Sequence, residues 1–369
     1  MKVYKSDISY FSGKLEAYLR YKEIPHSLVD CNGQTLQLLG KKTGTAKMPA
    51  IELENEQWLF DTTPTIQYLE KSYSDTPVLP PEPALRFLAL LIEDYGDEWL
   101  WRPAMWWRWM PKLSRVTLGR RIAGIMASKA LARPLGYLFA QRQLKEWLWQ
   151  DGMDKGNSPL VRDMYIRELE FLESLLEKQP YILGSHPSVA DLGFFGSMFR
   201  HFNNDPVSGE VMRRRAPNTY EYIARLWNAK QSKLPKDIEW QWPEQECWQP
   251  LLSRIANDYL PYLHQNALAF KQNNKRFDYK GKTMSFNKTV TTDYRVLCRQ
   301  ELQREFALLS EFDQQKVNNL FAPVGGLGAL HLDGLIDSGL DKQFRLPVNG
   351  NTTKAKLSWH QRLFGQPRN

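Results

Sequence analysis

The chain has 369 residues, of which 42% are hydrophobic and 24% are charged. This composition is typical of globular proteins and argues against a disordered or fibrous chain, and the length suits two or three domains. No apolar run approaches the ~20 residues that a membrane-spanning helix needs. The formal net charge of +8 would suit a nucleic-acid binder, but much of it lies in one central stretch and not in basic arms, so we expect no nucleic-acid partner.

The three cysteines, Cys31, Cys247 and Cys298, lie far apart, without a CxxC motif or a histidine at metal spacing. This pattern argues against a disulfide scaffold and against a zinc site. The amino-terminal segment 1–7 is charged from the second position and contains no apolar signal core. We therefore expect a metal-free protein in the reducing cytoplasm.

The segment 1–80 alternates between strand and helix patterns. In order, it predicts a strand at 2–5, a polar turn at 6–13, a helix at 14–22, a strand at 26–30, a short helix at 36–39, strands at 49–54 and 58–60, and a helix opening at 61–64. Strand, helix and strand form a βαβ unit, in which the two strands should be parallel. The complete order is that of the thioredoxin-like fold, and a proline-rich linker follows at 75–84.

The remainder of the chain is predicted to be mostly helical. Amphipathic runs lie at 85–100, 160–178, 188–203 and 217–230, followed from about residue 245 by a helix at 248–270, a hairpin at 276–286 turning at Lys280-Gly281, and two helical stretches within 293–321. The carboxy-terminal tail, from about residue 325, is rich in Gly, Asn, Lys and Thr and is expected to be loosely ordered. We therefore predict three parts: residues 1–80, an all-helical domain at 85–240, and an extension at 245–369.

Several motifs occur in a recognisable order between positions 1 and 230. Ile24-Pro25 follows the first helix, and it precedes Lys47-Met48-Pro49-Ala50-Ile51, Asp61-Thr62, Tyr68-Leu69 and the segment 182–191 (ILGSHPSVAD). Together these motifs resemble the signature of the glutathione transferases. The resemblance implies an α/β thioredoxin-like domain plus an all-α domain, here with an extra α/β extension. It also implies a homodimer that uses glutathione as co-substrate and attacks an electrophilic small molecule with the glutathione thiolate.

The resemblance assigns glutathione to five residues. Pro49 is expected to be cis, which would leave the backbone of Met48 free to pair with the cysteinyl part of glutathione like an added strand. Asp61 and Thr62, at a helix amino terminus, would receive the γ-glutamyl end. Lys47 would pair with the glycine carboxylate. The structural alternatives are a strand-initial proline, two capping residues and an exposed lysine.

A hydroxyl group in the turn after the first strand is expected to stabilise the thiolate. A free thiol with a pKa of ~8.5 is mostly protonated at pH 7, whereas the thiolate is the nucleophile. Comparison with the serine-type (theta- and zeta-like) pattern puts Ser9 in this role, with Tyr10, Ser12 and the nearby Ser6 as alternatives. Because no cysteine lies in this turn, disulfide-exchange chemistry is disfavoured. The alternative for all four residues is an ordinary solvated turn.

Ser188 and Asp191 have the spacing of a capping box at the start of a helix. In such a box each of the two side chains accepts a hydrogen bond from the backbone N–H of the other residue. We expect this pair to stabilise the helical domain and not to contact substrate.

A tryptophan-rich, basic segment lies between Trp99 and Trp149. It contains Trp99, Trp101, Trp106, Trp107 and Trp109, then Lys112, Arg115, Arg120, Arg121, Lys129 and Arg133, and no acidic residue from 101 to 145. In glutathione transferases this region begins the helix pair that lines the second substrate's pocket and forms half of the dimer interface. Here it suits a pocket for a hydrophobic aromatic substrate, neutral or anionic, a face meeting acidic lipid, or tryptophans packed between helices.

Two other classes of function remain open at this point. One is a non-catalytic protein that uses the same fold for binding or assembly, because Ser9 and Asp61-Thr62 match the family pattern only in part. The other is a nucleic-acid or membrane-surface adaptor, suggested by the basic segment. Retention on immobilised glutathione would favour the enzyme over both.

Overall fold

A computed structural model describes residues 1–126, 132–244, 246–341 and 344–350. The amino-terminal domain contains β1 (Lys2–Lys5), α1 (Tyr10–Tyr21), β2 (Ser27–Asp30), α2 (Gly33–Thr43), β3 (Ala50–Glu52), β4 (Gln57–Phe60) and α3 (Thr62–Glu70). Strand β1 pairs parallel with β2 and antiparallel with β3, and β3 pairs antiparallel with β4. The predicted βαβ unit, hairpin and thioredoxin-like order are thus confirmed.

Helix α1 begins earlier than the predicted helix at 14–22. Ser9 has an extended backbone, and its hydroxyl oxygen accepts the N–H of Ser12 at 3.3 Å. A side-chain cap of this kind satisfies one of the free N–H groups of the first turn. The helix therefore starts at Tyr10, and the polar turn predicted over 6–13 ends at Ser9.

The second domain is helical. It contains α4 (Pro83–Asp94), α5 (Trp101–Trp109), α6 (Lys112–Met126), α7 (Ala132–Gln143), α8 (Ser158–Leu176), α9 (Val189–Ser197), α10 (Pro206–Arg215) and α11 (Pro217–Asn228). Short π-helical segments continue α4, α7 and α9 at 95–99, 144–149 and 198–203. Helix α9 is buried over its whole length and packs against both α1 and α4, so it joins the two domains in one core.

The predicted capping box begins α9. The N–H of Ser188 donates to Asp191 Oδ2 at 2.8 Å, and the N–H of Asp191 donates to Ser188 Oγ at 3.4 Å. Asp191 Oδ1 also accepts the N–H of Ile182 at 2.7 Å and the hydroxyl of Tyr222 at 3.0 Å. Since both capping side chains are fully buried, this carboxylate fixes three chain segments to each other.

The extension packs against both domains. It contains α12 (Gln249–Arg254), α13 (Leu260–Lys271), β5 (Arg276–Lys280), β6 (Ser285–Val290), α14 (Asp293–Ala307), α15 (Glu311–Phe321), α16 (Gly328–His331) and β7 (Val348–Asn349). Helices α14 and α15 pack on α4, and β7 adds a fifth strand beside β4, giving the sheet order β2-β1-β3-β4-β7. The sequence predicted the hairpin β5–β6 but not β7, which lies in the segment expected to be loosely ordered. Helix α16 also lies in that segment, of which residues 342–343 and 351–369 lie outside the described residues.

None of the helices in the described part of the chain combines the length and the apolar character that crossing a bilayer requires. The three cysteines are free thiols, and two of them, Cys31 and Cys298, are buried.

Candidate active site

The five residues predicted to bind glutathione line one cavity of about 110 Å³. The Met48-Pro49 peptide bond is cis, as the sequence comparison predicted. Among the described residues, none is hydrogen-bonded to the N–H or the C=O of Met48. A peptide ligand could therefore pair with this backbone without displacing a bond within the protein.

Asp61 and Thr62 lie at the amino terminus of α3. Asp61 occupies the capping position with φ +63° and ψ 130°, a conformation that few non-glycine residues adopt, and its side chain caps no N–H of the helix. Thr62 is buried beside it at the cavity wall. Asp61 is therefore not a side-chain cap of α3, and its carboxylate contacts other groups.

The extension contributes residues to the same cavity that the sequence analysis missed. Thr292, Tyr294, Arg295 and Phe344 line it. The Tyr294 hydroxyl lies next to the Asp61 carboxylate; burial raises the pKa of Asp61, and the interaction with Tyr294 opposes the rise. No local sequence signal marks Tyr294, because it comes from a helix of the extension, far along the chain from Asp61.

Arg295 is held in place by carboxylates of the helical domain. Its side chain is buried, and Nη1 lies 3.1 Å from Asp151 Oδ1, while Nε lies 3.9 Å from Glu98 Oε2. Burial disfavours the charged form of this guanidinium and lowers its pKa. The Asp151 carboxylate has the opposite effect, and the net result is that the pKa of Arg295 is raised above its usual value. These ion pairs attach the start of α14 to the rim of the cavity.

Ser9, Tyr10 and Ser12 occupy three different environments. Ser9 is half-buried and lines a second cavity of about 260 Å³, and no described residue accepts its hydroxyl proton. Tyr10 lines the same cavity, but its hydroxyl donates to the C=O of Gly96. Ser12 is fully buried, lines neither cavity, and accepts the N–H of Ser6 at 3.2 Å.

The two cavities meet at Lys47, Met48 and Phe11, which line both. The second cavity is walled mainly by aromatic and aliphatic side chains. The tryptophans of the basic segment that line it are Trp101, Trp109 and Trp147. The geometry thus puts a hydroxyl, an unpaired backbone segment and an aromatic cavity next to each other.

Three further tryptophans of the basic segment, Trp99, Trp106 and Trp107, pack between helices, whereas Trp149 is exposed. Trp99 is buried against rings of the extension, including Tyr262 and Phe286. The Trp106 and Trp107 indoles donate to Ser158 Oγ at 2.8 Å and to the C=O of Arg162 at 3.0 Å. The packing interpretation therefore holds for these three, and for the three that line the cavity the substrate-pocket interpretation stays a prediction.

The arginine in the wall of the second cavity is neutralised from within the protein. Arg108 forms two bonds to Asp205, at 2.7 and 2.9 Å, and donates to His201 Nε2 at 2.7 Å. Because an arginine can only donate, Nε2 of His201 accepts and Nδ1 carries the proton. Burial, reinforced by Arg108, lowers the pKa of His201 well below its usual value, so the ring is neutral.

The other basic residues of the segment lie away from this cavity. Lys112, Arg120 and Arg121 are exposed, and Arg115 is half-buried, and none of them lines it. Lys129 and the side chain of Arg133 lie outside the described residues. Across the described ranges, no group of three or more His, Cys, Asp or Glu side chains is arranged to hold a metal ion.

Comparison with known proteins assigns both domains. Residues 3–77 match the family profile of the glutathione S-transferase N-terminal domain, and residues 163–229 match that of the glutathione S-transferase C-terminal domain. The chain therefore carries both glutathione S-transferase domains. The resemblance seen in the motifs at 24–25, 47–51, 61–62 and 182–191 is confirmed at the level of the family, whereas the serine-type subclass stays a prediction.

Several solved glutathione S-transferases align with this chain at low identity. One from Rhodospirillum rubrum F11 is 15% identical, covering 68% of this chain and 91% of its own, with a TM-score of 0.41. One from Pseudomonas fluorescens Pf-5 is 20% identical, covering 64% and 97%, with a TM-score of 0.38. One from Methylobacterium radiotolerans JCM 2831, in complex with glutathione sulfonate, is 17% identical, covering 61% and 89%, with a TM-score of 0.34. No curated protein matches the chain, so the family assignment rests on the two domain matches.

Proposed function

We propose that this protein is a glutathione transferase-like enzyme. Glutathione binds across the first cavity and along Met48, and its thiolate attacks an electrophilic small molecule held in the aromatic cavity. The sulfur forms a bond to an electrophilic carbon. Either a leaving group departs from that carbon with its bonding electrons, or, in an addition, the displaced electron pair moves to the adjacent atom of the substrate, which takes up a proton. The observation that carries the proposal is the unpaired backbone of Met48 at the junction of the two cavities, with Ser9 in the wall of the second.

Each end of glutathione has a matching group in this arrangement. The free N–H groups at the start of α3 favour the γ-glutamyl carboxylate, and the Thr62 hydroxyl adds a donor. Asp61 accepts from the γ-glutamyl ammonium, and Lys47 pairs with the glycine carboxylate. The first cavity has room for a few water-sized groups, which suits one end of the tripeptide. Tyr294 then acts as a positioning residue that fixes the Asp61 carboxylate.

Asp61→Asn should weaken glutathione binding about tenfold, because a hydrogen bond between two charged groups is lost. Asparagine tolerates a positive φ, so the backbone at this position should be kept. Calorimetric titration with glutathione measures the affinity, with Asp237→Asn, an exposed carboxylate away from the site, as the matched control. Equal affinity in wild type and Asp61→Asn would exclude the assigned role of this carboxylate.

Ser9→Ala should raise the pKa of the bound glutathione thiol by about one to two units, since a hydrogen bond to a charged group contributes about 1.5–3 kcal/mol. The variant should lose activity most strongly below pH 7 and recover above pH ~8.5, where free thiols ionise unaided. Ultraviolet titration of the thiolate in the binary complex measures the shift. Glutathione affinity at low pH should remain nearly unchanged, because the contacts to the tripeptide ends remain.

Parallel titrations of Tyr10→Phe and Ser12→Ala separate the candidate hydroxyls. If the thiol pKa shifts in either of these variants and not in Ser9→Ala, the site is right, but the thiolate is stabilised by that other hydroxyl and not by Ser9. If wild-type bound glutathione titrates like glutathione in water, the second candidate function, a non-catalytic binding or assembly protein, is favoured. The partial match at Asp61-Thr62 and the long extension are the observations that support this second candidate.

For the second substrate we propose a neutral, hydrophobic, aromatic electrophile in preference to an anionic one. The cavity wall consists mainly of aromatic and aliphatic side chains, which suit a planar apolar ligand. Arg108, the one arginine that the described residues contribute to this wall, is already paired with Asp205 and three other acceptors, so it offers no free charge to an anion.

The homodimer and the cytoplasmic location are part of the same proposal. Helices α14 and α15 and strand β7 cover α4 and the edge of β4 from within the chain, so a dimer would use another surface. Helices α6 and α7 expose Leu113, Tyr137 and Leu138, and these side chains support this hairpin as the interface. The three free thiols agree with a reducing compartment.

A further inference from the structure

A third cavity, of about 400 Å³, lies between α3, α4 and α14. Eight carboxyl side chains and two guanidinium groups of the described residues line it. The carboxyl groups come from all sides, including Asp61 at the start of α3, Asp94, Asp97 and Glu98 at the end of α4, and Glu301 and Glu305 on α14. A protein with a net charge of +8 thus encloses a strongly negative cavity at the junction of its two domains and its extension.

Among the described residues, the cations near this cavity are fewer than its eight carboxyl groups. Buried Lys14 is shared by Glu93 and Asp97, and Arg304 is shared by Glu301 and Asp341. Arg295 lies 3.9 Å from Glu98, Arg345 acts on Asp341, and Arg86 acts on Glu305 without a direct ion pair. Within the described ranges, the side chain of Asp94 accepts a hydrogen bond only from the uncharged Tyr259 hydroxyl. No described residue donates a hydrogen bond to Glu305, which is half-buried in the wall.

Asp97 supplies an independent sign of a missing partner. Its side chain lines the cavity and is 6% exposed, and while Oδ2 bonds to Lys14, Oδ1 is buried without a hydrogen-bond partner in the described part of the chain. A buried carboxylate oxygen without a donor is unfavourable and rare in native structures. Burial also raises the pKa of Asp94 to about 7, and the neighbouring carboxylates of Glu98 and Glu93 raise it in the same direction.

We propose that this cavity binds an organic polycation of the polyamine class, separate from glutathione. Ammonium groups would pair with Asp94 and Asp97 at one end and with Glu305 on α14, and the methylene chain between them would contact Leu90, Leu297 and Leu302. The described residues contain no cluster with metal-ligand geometry, so carboxylates distributed around a partly apolar cavity fit a chain of separated charges better than one metal ion. Because the net charge of the protein is +8, polycations should not bind to its surface in general. Saturable binding of a polycation would therefore indicate a specific site such as this cavity.

Spermidine is the probe, titrated calorimetrically into the full chain at pH 8 and ~0.15 M salt, a physiological ionic strength, without glutathione. We expect saturable binding of one spermidine per chain, weakened about tenfold in Glu305→Gln and in Asp94→Asn. Glu170→Gln, the same change at an exposed position of α8, should bind like wild type. Butylamine should bind at least tenfold more weakly, and millimolar Mg²⁺ should not displace spermidine.

The proposal fails if binding is not saturable, if Glu170→Gln and Glu305→Gln weaken it equally, or if Mg²⁺ displaces spermidine at equal concentration. Glu305 is half-buried and accepts no hydrogen bond from the described chain, so its variant should fold even if Asp94→Asn does not. The experiment is independent of the proposed transferase activity, because neither glutathione nor an electrophile is present.

Discussion

Replacing Lys14 by methionine should lower the free energy of unfolding by about 3–5 kcal/mol, the range seen when one partner of a buried ion pair is removed. Lys14 is fully buried, and its Nζ lies 2.6 Å from Glu93 Oε1, contacts Asp97 Oδ2 and donates to Thr63 Oγ1 at 3.1 Å. Methionine fills a similar volume but leaves both carboxylates without a cation. The bridge joins α1 to α4, so its loss weakens the contact between the two domains.

Chemical denaturation at pH 7 measures this effect, with Lys155→Met, an exposed lysine, as a control that should stay within about 0.5 kcal/mol of wild type. The difference in the free energy of unfolding between Lys14→Met and wild type should be smaller at pH 5 than at pH 7. Burial raises the pKa of Asp97 in the folded state above its unfolded value, so the destabilisation is fully present above the folded pKa and decreases as the pH falls and Asp97 binds a proton. A variant as stable as wild type at pH 7 would mean that the buried triad does not form.

Asp191→Ala should lower the free energy of unfolding by a similar amount, about 3–5 kcal/mol. The carboxylate accepts bonds from the N–H of Ile182, the N–H of Ser188 and the hydroxyl of Tyr222, and each buried donor left without a partner costs about 1–3 kcal/mol. Ser188→Ala removes mainly the helix cap and should cost only about 1 kcal/mol.

Thermal denaturation of the two variants tests this difference. Neither residue lines any of the three cavities, so glutathione affinity should be unchanged in the folded fraction. A normal melting temperature combined with altered glutathione binding would contradict the structural role given to this pair.

Local patterns were sufficient to predict most of the amino-terminal domain. The predicted strands at 2–5 and 58–60 and the predicted helix starts at 61 and 188 are marked by alternation, turn residues and capping residues over a few positions. The early start of α1 was missed because Ser9 and Ser12 suit a turn and a capped helix equally well. The Ser9 Oγ contact with the Ser12 N–H decides between these structures, and the residue types alone do not.

Long-range pairings account for what the sequence did not reveal. Strand β7 is very short and pairs with β4 from the opposite end of the described chain, so it has no periodicity to detect. Tyr294 approaches Asp61 only because α14 packs on α4. Arg108 lies within the basic segment at 99–149 and is buried against Asp205, whose distant position in the sequence gave no hint of the pair.

The arrangement found here makes the extension part of the candidate glutathione site and not a separate appendage. Tyr294 and Phe344 line the first cavity, and Arg295 joins the start of α14 to Asp151 of the helical domain. We therefore expect the extension to influence glutathione binding directly, through the position of the Asp61 carboxylate.

A crystal structure of the protein soaked with glutathione is the most direct test of the proposed transferase function. We expect the cysteinyl backbone to pair with the N–H and C=O of Met48, and the γ-glutamyl end to lie at Asp61 and Thr62 under Tyr294. The sulfur should lie within hydrogen-bond distance of Ser9 Oγ and face the aromatic cavity. Glutathione bound elsewhere, or no glutathione at millimolar concentration, would contradict the proposed function.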